Sequence, residues 1–342
     1  MVDTKQHPLV PTTRVGKVFV GLLVAIFGLI ILHAPLSVVF GTIAPDYELV
    51  IKSWKEILML IAALLAVVIL HTTKQLRVLK DPILIGIAIY ALLHLLSVGV
   101  FAAGLETSVA GLLIDLRYVL FFALVYVCIK LYPGLRRVFI KTGVIGALIA
   151  LGFALLQVFL LPEDILKYIG YNLNTIMPYL TVDQNADYIR INSTFRGPNP
   201  LGAYAVITLT TLVVFWLRGP REIVKQPKVY GAILAIGSLV ALWASYSRSA
   251  WIAAVLALVI VWGVVYGHRV TKWLWIGLAA AAIMMAGMIY VLRDTSFVSN
   301  VILHENPLES NNVNSNDGHI DSLQDGVYRL INQPFGAGVG ST

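Results

Sequence analysis

Two short segments of the sequence carry arginines beside residues that favour the start of a helix. The first runs from Tyr188 to Tyr204 and contains Arg190 and Arg196. Asn199 suits an N-cap, and Pro200 suits the first helical turn, where a missing N–H costs nothing. Because a helix N-terminus carries partial positive charge and unpaired N–H groups, this segment predicts a site for an anion such as phosphate. A capped helix whose arginines meet lipid headgroups explains it equally well.

The second segment runs from Tyr246 to Trp251 and also precedes an apolar stretch. Ser247 and Ser249 flank Arg248 and suit the capping of the helix that follows. Two such helix starts side by side predict a site for the two phosphates of a diphosphate, with Asn199 and both serines as further contacts. The alternative is a tight hairpin that Arg248 anchors in the headgroup layer.

The composition defines the class of protein to which these segments belong. Of 342 residues, 58% are hydrophobic and only 13% are charged. Apolar runs of roughly 20 residues, the length that crosses a bilayer as a helix, recur along the chain, and strand-type alternation is absent. We therefore predict an all-α polytopic integral membrane protein. The chain has one cysteine, Cys128, which lies in an apolar run, and a single cysteine cannot form a disulfide framework.

Nine transmembrane spans are predicted. Residues 1–16 form an N-terminal segment without a cleaved signal peptide, and the spans fall in two groups, 17–161 and 200–292. Two polar segments, 162–199 and 293–342, follow these groups. The predicted spans are 17–40, 54–71, 82–103, 108–129, 138–161, 200–217, 229–246, 249–266 and 272–292.

The distribution of charge predicts the orientation of the spans. The N-terminus and the loops after the even-numbered spans hold 16 Lys and Arg against Asp3, Asp81 and Glu222. By the positive-inside rule these parts are cytoplasmic, so the C-terminus and both long polar segments are external. The net charge of +7 thus reflects topology and argues against nucleic-acid binding.

The two external segments carry further candidates. Tyr168, Tyr171, Tyr179 and Tyr188 suit either stacking against sugars or anchoring at the bilayer surface. After an Asn-rich stretch, apolar residues at helical spacing from Ile320 onward predict an interfacial amphipathic helix of about 14 residues. His319 opens this helix and suits a general base or a phosphate contact, although a solvated histidine is equally common there.

The fourth span contains two charged residues, Asp115 and Arg117, about 10 Å from its external end at 1.5 Å per residue. Two residues apart, they do not share a helix face, so each is expected to find a partner on another span. His94 and Gln157 are candidate partners. A structural role and a functional role for Asp115 and Arg117 remain equally open.

The order of several motifs resembles one family. Four motifs of the chain resemble, in the same order, motifs of the O-antigen ligase and polysaccharide polymerase superfamily of bacterial membrane glycosyltransferases. They are Arg190 to Gly202 (Arg-Ile-Asn-Ser-Thr-Phe-Arg-Gly-Pro-Asn-Pro-Leu-Gly), Ser247 to Ala250, Gly318-His319 and Pro334 to Gly340. Span four, with Asp115-Leu-Arg117, also looks like the early arginine-bearing helix of that family. The resemblance extends over essentially the whole chain.

This resemblance implies a GT-C-like, metal-independent transferase without a cofactor on the outer, periplasmic face of the bacterial plasma membrane. It would pass a glycan from an undecaprenyl diphosphate carrier to a hydroxyl of an envelope glycan or lipid. Arg190 and Arg248 match the arginines that grip the donor diphosphate, while Arg196 stands where the family has a smaller residue. The family continues past the Gly-rich turn to a catalytic histidine and further spans. His319 matches that histidine poorly, and we expect the chain as it stands to be inactive.

Other functions remain open at this point. A polysaccharide polymerase differs from a ligase only in its acceptor, a second lipid-linked repeat. A transporter or flippase of lipid-linked sugars also needs outward cations and aromatic surfaces, but two matching halves with Gly/Pro-broken spans are absent. A scaffold without catalysis would tolerate replacement of Arg190 and Arg248. Metal-site, nucleotide-site and hydrolase motifs are absent from the sequence.

Overall fold

The computed structural model describes residues 10–101, 104–182, 185–219, 228–303, 315–334 and 336–340. Helices account for most of them, together with one pair of strands and a π-helical segment at Val298–Leu303. The helices are α1 (Arg14–Leu29), α2 (His33–Ile43), α3 (Glu48–Lys52), α4 (Trp54–Thr72), α5 (Pro82–Val100), α6 (Leu105–Leu131), α7 (Arg136–Phe159), α8 (Pro198–Arg218), α9 (Lys228–Ala244), α10 (Arg248–Tyr266), α11 (His268–Val291) and α12 (Ser315–Asn332), and the strands are β1 (Tyr179–Val182) and β2 (Asn185–Ile191).

Seven stretches of the described chain are helical, long enough and apolar enough to cross a membrane. Two further apolar helices, Val229–Ala244 and Trp275–Val291, are shorter. These nine stretches coincide with the nine predicted spans, and the prediction of a helical multi-pass membrane protein is confirmed at this level. The seven are Arg14–Ile43, Trp54–Thr72, Pro82–Val100, Leu105–Leu131, Pro133–Phe159, Pro198–Arg218 and Arg248–Tyr266.

Local side-chain caps define the starts of two of these helices. The Oγ1 atom of Thr13 accepts a hydrogen bond from the N–H of Gly16 at 3.1 Å, which makes Thr13 the N-cap of α1, and the helix begins at Arg14. Asp81 precedes Pro82, the first residue of α5, and its Oδ1 atom accepts the N–H of Ile83 at 3.1 Å. Both caps satisfy N–H groups that have no partner within the helix.

The expectation of a purely helical chain needs a correction, because β1 and β2 form an antiparallel hairpin. Leu180 pairs with Arg190, and the register shifts between Thr181 and Val182. Tyr, Ile, Val and Thr are abundant in these strands, and such residues favour an extended backbone. The paired strands are only a few residues long, so they do not produce the alternation of apolar and polar residues from which a strand is predicted in the sequence.

The chain divides into two compact units, and the first comprises residues 1–30, 49–144 and 321–342. Its α1 packs on α4, and both α4 and α5 pack on α6. Buried apolar side chains of α1, α4 and α6 form its core, among them Phe19, Leu23, Ala62, Ile69, Val127 and Cys128.

The glycine-rich C-terminal segment packs on α6 within this first unit. A Cβ atom on Gly111 would lie 2.6 Å from the backbone nitrogen of Gly340, so neither helix nor segment has room for a side chain there. Gly340 also adopts a φ of +83°, which glycine tolerates best. The segment that follows Pro334 is therefore a packing element in this structure.

The second unit comprises residues 31–48 and 145–320. In it α8 packs on both α9 and α10, and α9 contacts β2. A small apolar cluster joins α2 to the turn at residues 165–169 through Val38, Leu166 and Tyr171. Both arginine-bearing segments belong to this unit, so its geometry alone defines the candidate site.

Candidate functional site

Arg190 connects three elements of the second unit. From its place near the end of β2, its Nε atom donates to the carbonyl oxygen of Ser245 at 2.8 Å. One terminal nitrogen donates to Oδ1 of Asn199, on α8, at 2.6 Å. The Ser245 bond spans 55 residues of sequence. These two bonds fix the orientation of the guanidinium group.

Arg248 is the first residue of α10, and its side chain reaches a different element. Its Nη1 atom donates to the carbonyl oxygen of Ile302 at 2.9 Å, which ties the start of α10 to the π-helical segment. Ser247 occupies the N-cap position, as predicted, but its side chain forms no capping bond. Its Oγ atom instead lies 3.2 Å from Oγ of Ser249.

The starts of α8 and α10 are in direct contact. A Cβ atom on Gly202, in the second turn of α8, would lie 2.9 Å from Cβ of Ala250 and 2.9 Å from Oγ of Ser245. Only glycine leaves the space that brings these backbones so close. The two arginine-bearing segments, about fifty residues apart in sequence, therefore meet at one place in the fold.

The predicted N-cap at Asn199 is wrong. Helix α8 begins at Pro198, Gly197 holds the cap position, and Asn199 lies within the first turn, where its side chain binds Arg190. Pro198 and Pro200 have no N–H, so α8 offers an anion fewer backbone donors than the sequence analysis assumed. The start of α10 contains no proline and keeps its N–H groups, so we assign the anion-favouring helix end to α10.

Both arginine-bearing segments contain a strained residue. Ser193 has a φ of +50° and Tyr246 has a φ of +44°; Lys74 is the other non-glycine residue with positive φ in the described chain. Such conformations cost about 1–3 kcal/mol each and cluster at functional sites. Burial and the neighbouring Tyr188 raise the pKa of the Tyr246 phenol.

A buried turn at residues 192–194 fixes the connection between β2 and α8. The N–H of Ser193 donates to Oε1 of Gln157 at 2.9 Å, and its Oγ atom donates to the carbonyl oxygen of Ala150 at 2.7 Å. Asn192 donates to the carbonyl oxygen of Met177 at 2.7 Å. These bonds hold the turn against α7 and thereby position Arg190, three residues earlier.

Arg196 differs from the other two arginines. Its side chain is exposed and forms no hydrogen bond or ion pair with the residues that the structure describes. It lies in the same connection as Arg190 but is not held in one orientation. Its place in the predicted diphosphate site therefore stays a prediction.

The sequence analysis missed a third component of the site, the segment at residues 296–303. The hydroxyl of Tyr188 lies 3.0 Å from Oγ of Ser296, and the ring of Phe297 meets Tyr188 edge-on and stacks on Trp243. This segment was assigned to a polar external loop. The apolar residues at 297, 298 and 301–303 could have indicated an ordered element, but π-helices have no sequence signature of their own.

The predicted amphipathic helix is present as α12, which has 18 residues and exposes its apolar residues, including Leu323, Leu330 and Ile331. The backbone of His319 belongs to α12, while its side chain lies outside the described residues. The catalytic role of His319 therefore stays a prediction. Most of the Asn-rich stretch before it also lies outside the described residues.

The charged residues of α6 find partners on two neighbouring helices of the first unit. Nε2 of His94 on α5 lies 3.8 Å from Oδ2 of Asp115, and Nη1 of Arg117 lies 3.6 Å from Oε1 of Glu56 on α4. Asp115 thus pairs with the predicted histidine. The predicted role of Gln157 is wrong, since its amide oxygen accepts the Ser193 N–H.

These features define a class of protein, a helical multi-pass membrane protein with a cationic site built from two helix starts and a hairpin. Comparisons with known proteins do not narrow the class further. No protein-family model matches the sequence, and no curated protein or solved structure matches it either. The function must therefore be argued from the site.

Proposed function

We propose that the protein is an O-antigen ligase-like, metal-independent glycosyltransferase that acts on an undecaprenyl diphosphate-linked polysaccharide. One observation carries this proposal: Arg190 and Arg248 come from two segments that meet through Gly202, Ser245 and Ala250. Two cations fixed at adjoining helix starts suit the two phosphates of a diphosphate. The order of motifs that resembles the O-antigen ligase superfamily supports the same substrate.

The proposed reaction is a displacement at the anomeric carbon of the donor sugar. The acceptor hydroxyl oxygen forms a bond to this carbon, and the bond from the carbon to the diphosphate oxygen breaks. Undecaprenyl diphosphate leaves with the electron pair, so its negative charge grows during the step. Fixed guanidinium groups stabilise such growing charge without a metal. The acceptor loses its proton to a base, for which His319 remains our candidate.

The location of the site follows from the charge distribution. In the proposed topology the protein is a multi-pass protein of the bacterial inner membrane with a cytoplasmic N-terminus, so the starts of α8 and α10 face the periplasm. Lipid-linked donor and envelope acceptor both reach that side. Helix α12, with its exposed apolar residues, would lie in the bilayer interface.

The proposal is tested by the binding of undecaprenyl diphosphate to detergent-purified protein, which requires no turnover. Arg190→Ala and Arg248→Ala should each weaken binding about ten- to a hundredfold, the effect of one lost charge-assisted contact of about 1.5–3 kcal/mol. Arg218→Ala is the matched control, because Arg218 also donates to a carbonyl oxygen, that of Val265 at 2.7 Å, but lies at the opposite end of α8.

Two results would contradict the proposal. If both site variants bind as tightly as the parent, the arginines are headgroup anchors. If Arg218→Ala weakens binding as much as they do, the effect comes from overall positive charge and not from a site. Thermal melting of every variant shows whether it remains folded.

A further inference from the structure

Asn300 presents a buried acceptor that no described residue satisfies. Its side chain is 8% exposed, and its Nδ2 atom donates to the carbonyl oxygen of Ser296 at 2.9 Å and to its Oγ atom at 3.2 Å. These bonds fix the orientation of the amide, and its Oδ1 atom is left buried without a hydrogen-bond partner in the described structure. A buried acceptor without a partner destabilises a fold, and a ligand that supplies a donor beside Asn300 would remove this cost.

Asn300 lies between the elements that carry the two arginines. Ser296, which binds its amide, is also within 3.0 Å of the Tyr188 hydroxyl, two residues before Arg190 on β2. Two residues after Asn300, the carbonyl oxygen of Ile302 accepts the bond from Arg248. The hydrogen-bonded chain of Tyr188, Ser296 and Asn300 is therefore part of the same site.

Aromatic rings surround this polar chain. The ring of Tyr188 meets the rings of Tyr246 and Phe297 nearly edge-on, with centroids 6.2 Å apart in each case. Trp243 stacks on Phe297 at 5.5 Å with nearly parallel planes and is 55% exposed. Such rings offer apolar faces beside hydroxyl and amide groups.

We propose that Tyr188, Ser296, Phe297 and Asn300 form a subsite for the first sugar of the diphosphate-linked donor, an inference that rests on the proposed function. A sugar has both apolar C–H faces for the rings and O–H or N–H donors for the amide oxygen. The isoprenoid chain of the same donor has only C–H groups, and it would leave Oδ1 of Asn300 unsatisfied. The amide oxygen thus favours the sugar over the lipid as the occupant.

The test compares two kinds of probe on purified protein. One is undecaprenyl diphosphate without sugar, and the other is undecaprenyl diphosphate that carries one glucose, galactose or N-acetylglucosamine. For the parent protein we expect at least one sugar-bearing probe to bind about tenfold tighter than the sugar-free carrier. Asn300→Ala should abolish this preference, because its affinity for the sugar-bearing probe should fall about tenfold more than its affinity for the sugar-free carrier.

Asn332→Ala is the matched control, since Asn332 makes the same local bond, from Nδ2 to the carbonyl oxygen of Tyr328 four residues earlier, on the exposed α12. It should keep the preference. Phe297→Leu provides a second test through the ring and should reduce the preference if Asn300→Ala does not fold.

The outcomes separate this inference from the proposed function. Equal binding of all probes by the parent overturns the subsite but leaves the diphosphate site intact. A loss of affinity for sugar-free and sugar-bearing probes alike in Asn300→Ala also overturns it, because the residue would then support only the fold. Failure of the parent to bind any probe overturns the proposed function and the subsite together.

Discussion

The two compact units place their arginines in different chemical surroundings. In the first unit Arg117 lies 3.6 Å from a carboxylate oxygen of Glu56, its counter-ion. In the second unit Arg190 donates to two neutral oxygens, those of Ser245 and Asn199, which orient its side chain. A carboxylate partner cancels the charge of a guanidinium locally, whereas neutral acceptors only orient it.

This difference indicates what each arrangement does. A pair of opposite charges within a membrane-spanning bundle satisfies both groups and holds two helices together. A guanidinium oriented by neutral oxygens beside strained residues such as Ser193 and Tyr246 suits the binding of an external anion. The comparison therefore predicts that variants in the first unit change stability and that variants in the second change binding.

The largest effect is expected for Gly202→Val. The new side chain would overlap Ala250 and Ser245 and force the starts of α8 and α10 apart. Overpacking of this kind costs about 1–3 kcal/mol of stability. We expect the affinity for undecaprenyl diphosphate to fall more than about a hundredfold, since each of the two arginine contacts is worth about ten- to a hundredfold.

Gly231→Val on α9 is its control, because a Cβ atom there meets nothing within 4 Å. Both variants place a β-branched residue in a helix, so the difference between them isolates the packing of the two helix starts. Equal binding by Gly202→Val and the parent protein would show that this contact does not position the site.

Arg117→Met should separate stability from binding. The variant removes one of the two cations beside the Glu56 carboxylate and leaves Lys55, whose Nζ atom lies 3.1 Å from the same carboxylate oxygen. We therefore expect unfolding to become easier by about 1–2 kcal/mol, below the 3–5 kcal/mol of a buried pair that loses its partner. Undecaprenyl diphosphate binding should not change, and thermal melts with binding isotherms measure both quantities. A matching loss of affinity would remove the distinction between the units.

Gln157→Met should lower both stability and affinity, the affinity by less than Gly202→Val does. The variant removes the acceptor of the buried Ser193 N–H, which costs about 1–3 kcal/mol of stability. Because the Ser193 turn positions Arg190, we also expect a several-fold loss of affinity for undecaprenyl diphosphate. Gln324→Met on the exposed surface of α12 should change neither melting nor binding. A drop in stability without any change in affinity would mean that the turn does not position Arg190.

The smallest effect is expected for Asp81→Asn, in the first unit. The bond from Lys130, together with the N–H of Ile83 and the hydroxyl of Tyr126, lowers the pKa of the Asp81 carboxyl. A lowered pKa stabilises the fold above the pKa of the unfolded chain, about 3.9, and this contribution is lost as the pH falls through the folded value. At pH 7 we expect Asp81→Asn to lower Tm by about 1–3 °C.

The melting temperatures of Asp81→Asn and the parent should converge as the pH falls through the lowered pKa of Asp81, because the parent carboxyl is then protonated as well. Melts recorded from pH 7 downward provide this comparison. A difference that stays constant over this range would show that the ionised form of Asp81 contributes nothing.

The sequence by itself determined the helices and the residues at their ends. Apolar runs and the arginine-bearing segments are local features that local hydropathy and backbone preference suffice to identify, although the cap of α8 lies at Gly197 and not at the predicted Asn199. The partner of Asp115 was one of the two candidates named from the sequence, His94 and Gln157, because an intramembrane charge needs a partner on another span.

Only the tertiary structure decided how the site is built. The bonds from Arg190 to Ser245 and from Arg248 to Ile302 span 55 and 54 residues of sequence, and local preference does not specify such contacts. They depend on the close approach that Gly202 permits and on the π-helical segment that supplies Asn300. The packing of the elements of this unit decides that Gly197 caps α8, that Asn199 binds Arg190 and that Oδ1 of Asn300 has no partner among the described residues.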